Sequence, residues 1–359
     1  MYNNLAELTT KIKDTMIDYY GEQYADKITA AFDKTNVIIM DAADENRKNL
    51  NAICNSQTPK NLRFFDNQGT QIKTNLSVLA AAVSTSRPVI EIIDNKPVLQ
   101  GTIEAIGLTD TFDINNRKKV EQLIHEFGHS VKRSASIINI GDKYLLVQND
   151  GVAQDTHEIK WDNNGNIELH QVEIDLNIGL HEGKNEFDAR KVSEMIYGSP
   201  SLSEAYRGLT NCAIEFDKIP ELGKALTDCE FNHDNIPQFE KLYDSLIPDE
   251  KVPLCGFKPM NKAFDEYYKA ATTLGENLLD CATLAGRMVN SMKYYAPETM
   301  QNNPEKVAKY SPQRKSLIKN LTKLKNNANL GKKYSLTPEN RNLTSVKNAT
   351  VKNITAPVT

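Results

Sequence analysis

The sequence lacks any hydrophobic run of about 18 residues, the length that a membrane-spanning helix requires. The N-terminal stretch lacks the basic segment followed by an apolar segment that marks a secretory signal. The five cysteines are odd in number, widely spaced and without a Cys-x-x-Cys pair, so neither a disulfide framework nor a cysteine zinc site is indicated. These absences predict a cytoplasmic protein with reduced thiols and no membrane span. Secretion by a route that needs no signal peptide is the alternative.

Charge is distributed unevenly along the 359 residues, although the formal net charge is only −4. Residues 301–359 contain 12 Lys and Arg against 2 Asp and Glu, whereas residues 1–300 contain 31 against 45. The basic segment is rich in Asn, Lys, Ser and Thr and lacks the interleaved aromatic residues of single-strand binders. A disordered basic tail is therefore predicted over 301–359, and nucleic acid is not an expected partner.

The most informative motif is His-Glu-Phe-Gly-His, from His125 to His129. Residues four apart lie on the same face of a helix, so His125 and His129 can present two imidazole nitrogens to one metal ion. Glu126 directly follows the first histidine, where it can act as general base on a water molecule at the metal. This spacing predicts a Zn²⁺ site.

The surrounding residues predict that the motif lies on a helix over about 115–133. An apolar stripe at intervals of three and four can anchor it on a core: Val120, Leu123, Phe127 and Val131. Asp113 or Asn115 is the expected N-cap, and the basic pair Lys132–Arg133 complements the helix dipole at the other end.

The order of elements along the chain favours an α+β fold over an alternating α/β fold. Residues 1–57 have helical periodicity, with an apolar run at 37–40 that is either a strand or the end of a helix. Residues 87–106 have the pattern of a hairpin, and the alanine-rich run 78–83 fits a short helix. Two further hairpins are predicted between 135 and 178, then a helix from about His181 to Tyr197.

This order of elements predicts that the chain divides into four parts. They are an N-terminal helical segment (1–57), a catalytic domain with a mixed sheet, an active-site helix and a hairpin insertion at 135–178 (58–198), a helical C-terminal subdomain (199–300) and the basic tail (301–359).

A catalytic zinc needs a third protein ligand. The segment Leu-His-Glu-Gly-Lys-Asn-Glu-Phe, from Leu180 to Phe187, resembles the glutamate helix of gluzincin-type zinc metallopeptidases, which reads close to Leu-Asn-Glu-Gly-Phe-Ala-Glu-Tyr in aminopeptidase-N-like members. The resemblance implies a zincin-like fold with Glu182 as third ligand. It places Glu186 where such enzymes hold a carboxylate against a ligating histidine.

The same resemblance allows a second alignment, in which a different glutamate is the ligand. Lethal-factor-like proteases also carry His-Glu-Phe-Gly-His, and their glutamate pattern would make Glu186 the ligand, with Ala189 as the small residue that follows. The resemblance covers only the two helices, and 52 residues separate His129 from Glu182, where compact thermolysin-like enzymes have about twenty. The predicted hairpins account for the extra length.

The resemblance implies a zinc metallopeptidase that acts on peptides or proteins, with an endopeptidase preferred because no amine-anchoring motif is present. Glu126 would take a proton from water and pass it to the leaving amine. The donor to the oxyanion is one of three tyrosines, with Tyr197 the first choice because it follows the ligand helix: Tyr144, Tyr197 and Tyr206.

Two other classes of function compete with this hypothesis. The chain is alternatively an inactive zincin that binds zinc and serves as a protein-interaction module or effector. It is otherwise a helical interaction protein in which the histidine motif arises by coincidence.

Overall fold

The computed structural model describes residues 2–40, 50–72, 81–246 and 256–274. Its helices are α1 Leu5–Tyr20, α2 Ala25–Lys34, α3 Leu50–Ser56, α4 Arg117–Lys132, α5 Ile178–Tyr197, α6 Arg207–Asp217, α7 Pro220–Phe231, α8 Ile236–Leu246 and α9 Phe257–Leu274. Its strands are β1 Thr35–Ile39, β2 Leu62–Phe65, β3 Gln71–Ile72, β4 Ala82–Ile93, β5 Lys96–Leu108, β6 Arg133–Ile140, β7 Lys143–Asp150, β8 Ala153–Trp161 and β9 Ile167–Leu176. This is a mixed α+β architecture, as expected from the sequence.

The smaller sheet has three strands in the order β1-β5-β4. Strands β4 and β5 form the predicted hairpin, whose two-residue turn places Asp94 and Asn95 at positive φ angles of 49° and 57°. Both residue types tolerate this conformation, which matches the twist of the paired strands. The apolar run at 37–40 is settled as a strand, because β1 pairs in parallel with β5.

The expected short helix at 78–83 is wrong in its described part, because Ala82 and Val83 begin strand β4. Ala82 pairs with Leu108 and is fully buried, so pairing with β5 overrides the helix propensity of the alanines. Residues 78–80 lie outside the described part of the chain.

The larger sheet has six strands in the order β3-β2-β9-β8-β7-β6. Strands β6 to β9 form a continuous antiparallel meander, which contains the two hairpins predicted between 135 and 178. Strand β2 precedes α4 in sequence but pairs in parallel with β9. The hairpins are therefore part of a larger sheet, and they fill the sequence between the two histidines and the glutamate helix.

Structural contacts connect segments on either side of two predicted domain boundaries, at 57/58 and at 198/199. The boundaries remain predictions. Strand β1 of the N-terminal segment pairs with β5 of the predicted catalytic domain. Leu180 of α5 belongs to the same buried apolar cluster as residues of α6 to α9. Residues 275–300 of the predicted C-terminal subdomain and the predicted tail 301–359 lie outside the described residues. No helix in the described ranges combines the length and apolar character that crossing a bilayer demands.

Candidate metal centre

Helix α4 is anchored by the apolar stripe expected from its sequence, since all four of its members are fully buried: Val120, Leu123, Phe127 and Val131. The N-cap of the helix differs from the two that the sequence predicts, Asp113 and Asn115. Asn116 is the N-cap, and its side chain accepts a hydrogen bond from the Lys119 amide. Asp113 instead accepts from the Asn115 amide in the preceding turn. The stripe fixes the rotation of α4 and so directs His125 and His129 towards α5.

Three metal-ligating side chains meet between α4 and α5. Their facing atoms are His125 Nε2, His129 Nε2 and Glu182 Oε2. The two nitrogens lie 3.1 Å apart, and the carboxylate oxygen lies 3.3 Å from His125 Nε2 and 3.8 Å from His129 Nε2. Ligands at about 2.0–2.1 Å from a tetrahedral ion stand about 3.3 Å from one another. The three atoms are thus spaced as ligands of one small metal ion.

The far side of each imidazole faces a carboxylate. His125 Nδ1 lies 3.0 Å from Glu186 Oε2, and His129 Nδ1 lies 3.1 Å from Asp150 Oδ2. When each Nδ1 donates its proton to its carboxylate, each Nε2 carries a lone pair directed at the other ligand atoms. Glu182 Oε2 is buried and has no hydrogen-bond partner. Three electron-pair donors facing one another without a cation are costly, and a bound metal ion would remove that cost.

The pKa of His125 also indicates that this cluster attracts positive charge. Burial lowers the pKa of His125, but the carboxylates of Glu182 and Glu186 outweigh burial and raise the pKa well above its usual range. Without a metal, a proton thus compensates the two carboxylates. Metal binding at this position would release that proton.

The two registers of the glutamate helix differ in their geometry. Glu182 lies beside both histidine Nε2 atoms, whereas Glu186 lies behind His125 and also bonds to Arg190 at 3.0 Å. Buried Glu186 therefore has partners of its own, and Glu182 Oε2 has none.

Glu126 is half-buried beside the metal-ligating cluster. Its Oε2 atom accepts a hydrogen bond of 2.7 Å from the backbone amide of Ser84 in β4. This bond ties the motif helix to strand β4 and holds the carboxylate at the boundary between the site and that strand. In the described residues β4 pairs with β5 alone, and its other edge contacts α4 through this hydrogen bond.

The candidate oxyanion donor differs from the first choice made on sequence. Tyr197 lies about 22 Å along α5 from Glu182, and its ring packs under the Arg117 guanidinium at 4.7 Å. It is too distant to touch a substrate at the metal ligands. Tyr206 instead stacks beside His125, with ring centroids 5.9 Å apart and an interplanar angle of 29°.

Tyr206 has two further unusual properties. It is the N-cap of α6 and adopts a left-handed conformation, with φ at 48°, which is uncommon for a bulky residue and concentrates at functional sites. The negative charge of Glu182, together with burial, raises the pKa of its hydroxyl well above the usual range. The hydroxyl therefore remains protonated and able to donate a hydrogen bond. Tyr144 lies on β7 against Trp161, with ring centroids 5.9 Å apart.

Asp150 is a site residue that the sequence did not reveal, because Asn149-Asp150-Gly151 has the composition of a turn. Asp150 is the last residue of β7 and pairs with Arg133, the first residue after α4. Its Oδ2 atom lies 3.0 Å from Arg133 Nε. Only the register of β6 with β7 brings this carboxylate to His129, so sequence spacing alone could not identify it.

His181 supports Asp150 from the other side. Its Nε2 lies 3.0 Å from Asp150 Oδ1 and its Nδ1 lies 2.8 Å from Glu230 Oε2. Burial lowers the pKa of His181, but Glu230 and Asp150 raise it to about 9, so the ring is protonated at neutral pH. A protonated imidazole has no lone pair for a metal, although His129, Asp150 and His181 lie close enough together to hold one. His181 Nε2 also lies 2.9 Å from His129 Nδ1, so Glu230, His181, Asp150 and His129 form one largely buried group of polar contacts.

The described residues thus contain a buried His125–His129–Glu182 group that could hold a metal ion. No protein-family model matches this chain, and comparison with curated proteins and with solved structures found no similar protein.

Proposed function

We propose that this protein is a zinc-dependent peptidase, a hydrolase of the gluzincin type with a zincin-like catalytic domain. The observation that carries the proposal is that ligand atoms of His125, His129 and Glu182 converge at the helix that also carries the carboxylate of Glu126. Two imidazoles and one carboxylate at nearly tetrahedral spacing suit Zn²⁺. Such an ion supplies Lewis acidity, which polarises a carbonyl group and lowers the pKa of water.

The residues around the ligands support hydrolysis of a peptide bond. On this proposal the Glu126 carboxylate takes a proton from the attacking water and passes it to the leaving amine. The Tyr206 hydroxyl, whose ring stacks beside His125, on this proposal donates a hydrogen bond to the carbonyl oxygen of the substrate as negative charge develops on it. On the same proposal Glu186 and Asp150 accept the Nδ1 protons of His125 and His129, which would leave each Nε2 a lone pair for the metal.

The edge of β4 that pairs with no other described strand supports a peptide as the substrate. Ser84 to Arg87, four consecutive residues of this strand, line a cavity of about 510 Å³ whose lining also includes Asp150, the carboxylate beside His129. Consecutive residues point to opposite faces of a strand, so a cavity that reaches all four follows the strand edge. An extended peptide can pair with such an edge through main-chain hydrogen bonds. This supports a peptidase that binds the interior of a chain, an endopeptidase.

The test is the substitution Glu126→Gln, which keeps the size of the side chain and removes its basicity. Zinc content should remain near one equivalent, and the rate of peptide hydrolysis should fall by about 10³-fold or more. Glu22→Gln, the same change at an exposed position before α2, should leave both quantities unchanged. Retained hydrolysis in Glu126→Gln would exclude Glu126 as general base.

The inactive zincin is the second candidate, and the burial of the ligand cluster supports zinc binding in either case. Wild-type protein with one equivalent of zinc and no hydrolysis of a broad peptide library would favour a binding module. Less than about 0.1 equivalent of zinc, with no gain on refolding with metal, would favour a coincidental motif.

A further inference from the structure

The connection between α5 and α6 carries Tyr206, and side chains of the two helices that bear the metal ligands hold this connection in place. On α4, the Glu121 carboxylate accepts hydrogen bonds of 3.1 Å from the Leu202 amide. On α5, the Glu186 carboxylate accepts a hydrogen bond from the Ser203 hydroxyl. The position of the connection therefore depends on carboxylates within the site helices.

Arg190, one turn after Glu186 on α5, makes a further tie and reaches two groups at once. Its Nε donates a hydrogen bond of 3.0 Å to Glu186 Oε1, and its Nη2 donates one of 2.7 Å to the backbone carbonyl of Ala205. A guanidinium is planar and rigid, so its donors keep a fixed direction relative to each other. Arg190 therefore fixes the Glu186 carboxylate relative to the residue that precedes Tyr206.

Both partners of Arg190 lead to the imidazole of His125. Glu186 Oε2 lies 3.0 Å from His125 Nδ1, so the guanidinium and the imidazole share one carboxylate. Ala205 precedes Tyr206, whose ring stacks beside the same imidazole with centroids 5.9 Å apart. The contacts form a closed ring of five residues: His125, Glu186, Arg190, Ala205 and Tyr206. Arg190 thereby couples the orientation of the His125 imidazole to the position of Tyr206.

The backbone of Tyr206 depends on contacts of this kind. Its φ of 48° lies in the left-handed region, where a bulky residue persists only if the surrounding structure holds it. Arg190 binds the carbonyl before Tyr206, and the Thr210 hydroxyl donates a hydrogen bond of 2.9 Å to the carbonyl of Tyr206 itself. The Thr210 hydroxyl also lies 3.4 Å from the Ala205 carbonyl, a longer contact that holds it less firmly than Arg190 does.

We propose that Arg190 is a positioning residue for the reaction, which holds the candidate ligand His125 and the candidate oxyanion donor Tyr206 in one geometry. The inference rests on the proposed function and adds to it a residue that lies outside both metal-ligand segments. A donor to an oxyanion is effective when its direction is fixed before the charge develops. Lysine supplies a positive charge without a rigid pair of donors, so Arg190→Lys separates geometry from charge.

The first experiment is a double-mutant cycle between Arg190 and Tyr206, measured by steady-state kinetics at saturating zinc. Arg190→Lys should lower kcat for a peptide about 10-fold and leave KM within about 2-fold, because the oxyanion donor acts mainly in the transition state. In the Tyr206→Phe background the same change should lower kcat less than about 2-fold, since the hydroxyl that Arg190 positions is already gone.

Arg207→Lys is the matched control for this cycle. Arg207 is an exposed arginine directly after Tyr206, and it pairs with Glu204 at 3.1 Å. Its replacement should leave kcat unchanged in both backgrounds. An equal loss of kcat from Arg190→Lys in the two backgrounds would show a general structural effect and would overturn the inference, as would an unchanged kcat in otherwise wild-type protein.

The second experiment measures zinc affinity and therefore does not depend on turnover. Competition with a chelator should show that Arg190→Lys weakens zinc binding about 3-fold or more, because the Glu186 carboxylate behind His125 is held less firmly. In the Glu186→Ala background the same change should alter the affinity by less than about 1.5-fold. Circular dichroism checks that each variant is folded. Equal weakening in the two backgrounds, or none in otherwise wild-type protein, contradicts the inference.

Failure of the proposed function has a different signature. If zinc-loaded wild-type protein cleaves none of a broad set of peptides, the peptidase is refuted, and the zinc-affinity cycle alone decides the role of Arg190. If peptides are cleaved but either cycle shows additive effects, Arg190 is refuted as a positioning residue and the peptidase stands.

Discussion

Two groups of buried polar side chains lie between helices α4 and α5, and they differ in how their charges are balanced. The first is the metal-ligating cluster, in which Glu182 Oε2 has no hydrogen-bond partner. The second, the lysine cluster, consists of Lys132, Lys184 and Asp188. Lys132 Nζ lies 3.0 Å from Asp188 Oδ2, and Lys184 bonds to Asp188 Oδ1.

The lysine cluster is complete without any added ion. The Asp188 carboxylate also accepts hydrogen bonds from the hydroxyls of Tyr19 at 2.8 Å and Tyr20 at 3.0 Å. Asn185 accepts from Lys132 at 3.1 Å and donates to the backbone carbonyl of His125 at 2.9 Å, so the two clusters are adjacent. The two clusters are both buried on the same two helices, yet they differ in function. The lysine cluster fixes how the helices pack, whereas the metal-ligating cluster could hold a cation.

The largest expected effect is the loss of metal from Glu182→Ala. With one of three ligands removed, zinc should fall from about one equivalent to below about 0.1 after dialysis, and hydrolysis should be abolished. Glu186→Ala, the matched change one turn later, should still bind zinc at saturating metal. Zinc retained by Glu182→Ala but lost from Glu186→Ala would reverse the assignment; atomic absorption measures both.

Lys132→Met tests the lysine cluster. Removing the ammonium leaves the buried carboxylate of Asp188 short of one partner, which should lower the free energy of unfolding by about 3–5 kcal/mol. Zinc content of the folded protein should not change. Lys191→Met removes an exposed cation that pairs with Glu194, and should cost less than about 1 kcal/mol. Urea unfolding at a fixed zinc concentration gives both free energies of unfolding. A similar decrease in the two variants would show that buried Lys132 stabilises the fold no more than Lys191 does.

Tyr206→Phe tests whether the aromatic residue beside His125 takes part in the reaction. Removing one donor to a developing oxyanion should lower kcat by about 10²-fold without changing zinc content. Tyr197→Phe should leave kcat unchanged, because its ring packs on Arg117 away from the ligands. Steady-state kinetics on one peptide compares the two. A larger loss in Tyr197→Phe would restore the choice made on sequence.

The smallest effect is expected from Asp150→Asn, which removes the charge behind His129 and keeps the shape. Zinc affinity should fall by about 10- to 100-fold, as it does when partners of ligating histidines are changed. Asp142→Asn, in the exposed turn between β6 and β7, is the control. Competition with a chelator of known affinity measures the change in protein whose circular dichroism shows it to be folded. Affinity equal to the wild type would exclude Asp150 as a positioning residue.

Features that depend on a short stretch of sequence were predicted well. The apolar stripe of α4 and the β4–β5 hairpin were expected, because helical spacing and turn composition are local properties. The histidine pair and the glutamate helix were identified because each lies within a few residues of its partners. The helix expected at 78–83 was wrong where described, since pairing with distant β5 decides that segment.

Residues recruited from distant strands or loops were predicted poorly: Asp150 was not expected, and Tyr206 was only one of three candidate donors. Asp150 reaches His129 through the register of β6 with β7, and Tyr206 reaches His125 through the turn before α6. Tyr197 was preferred because it is close to Glu182 in sequence, yet a helix extends 1.5 Å per residue and carries it away.

The sequence by itself identified the two candidate histidine ligands, the two glutamates that compete as third ligand and the candidate base, because a four-residue helical spacing places side chains on one face wherever the helix lies. Tertiary structure alone decided what surrounds them. The carboxylates behind the histidines and the tyrosine beside them come from several elements. They come together through strand register and helix packing. Both depend on many weak contacts between segments that are distant in sequence, so no single residue predicts them.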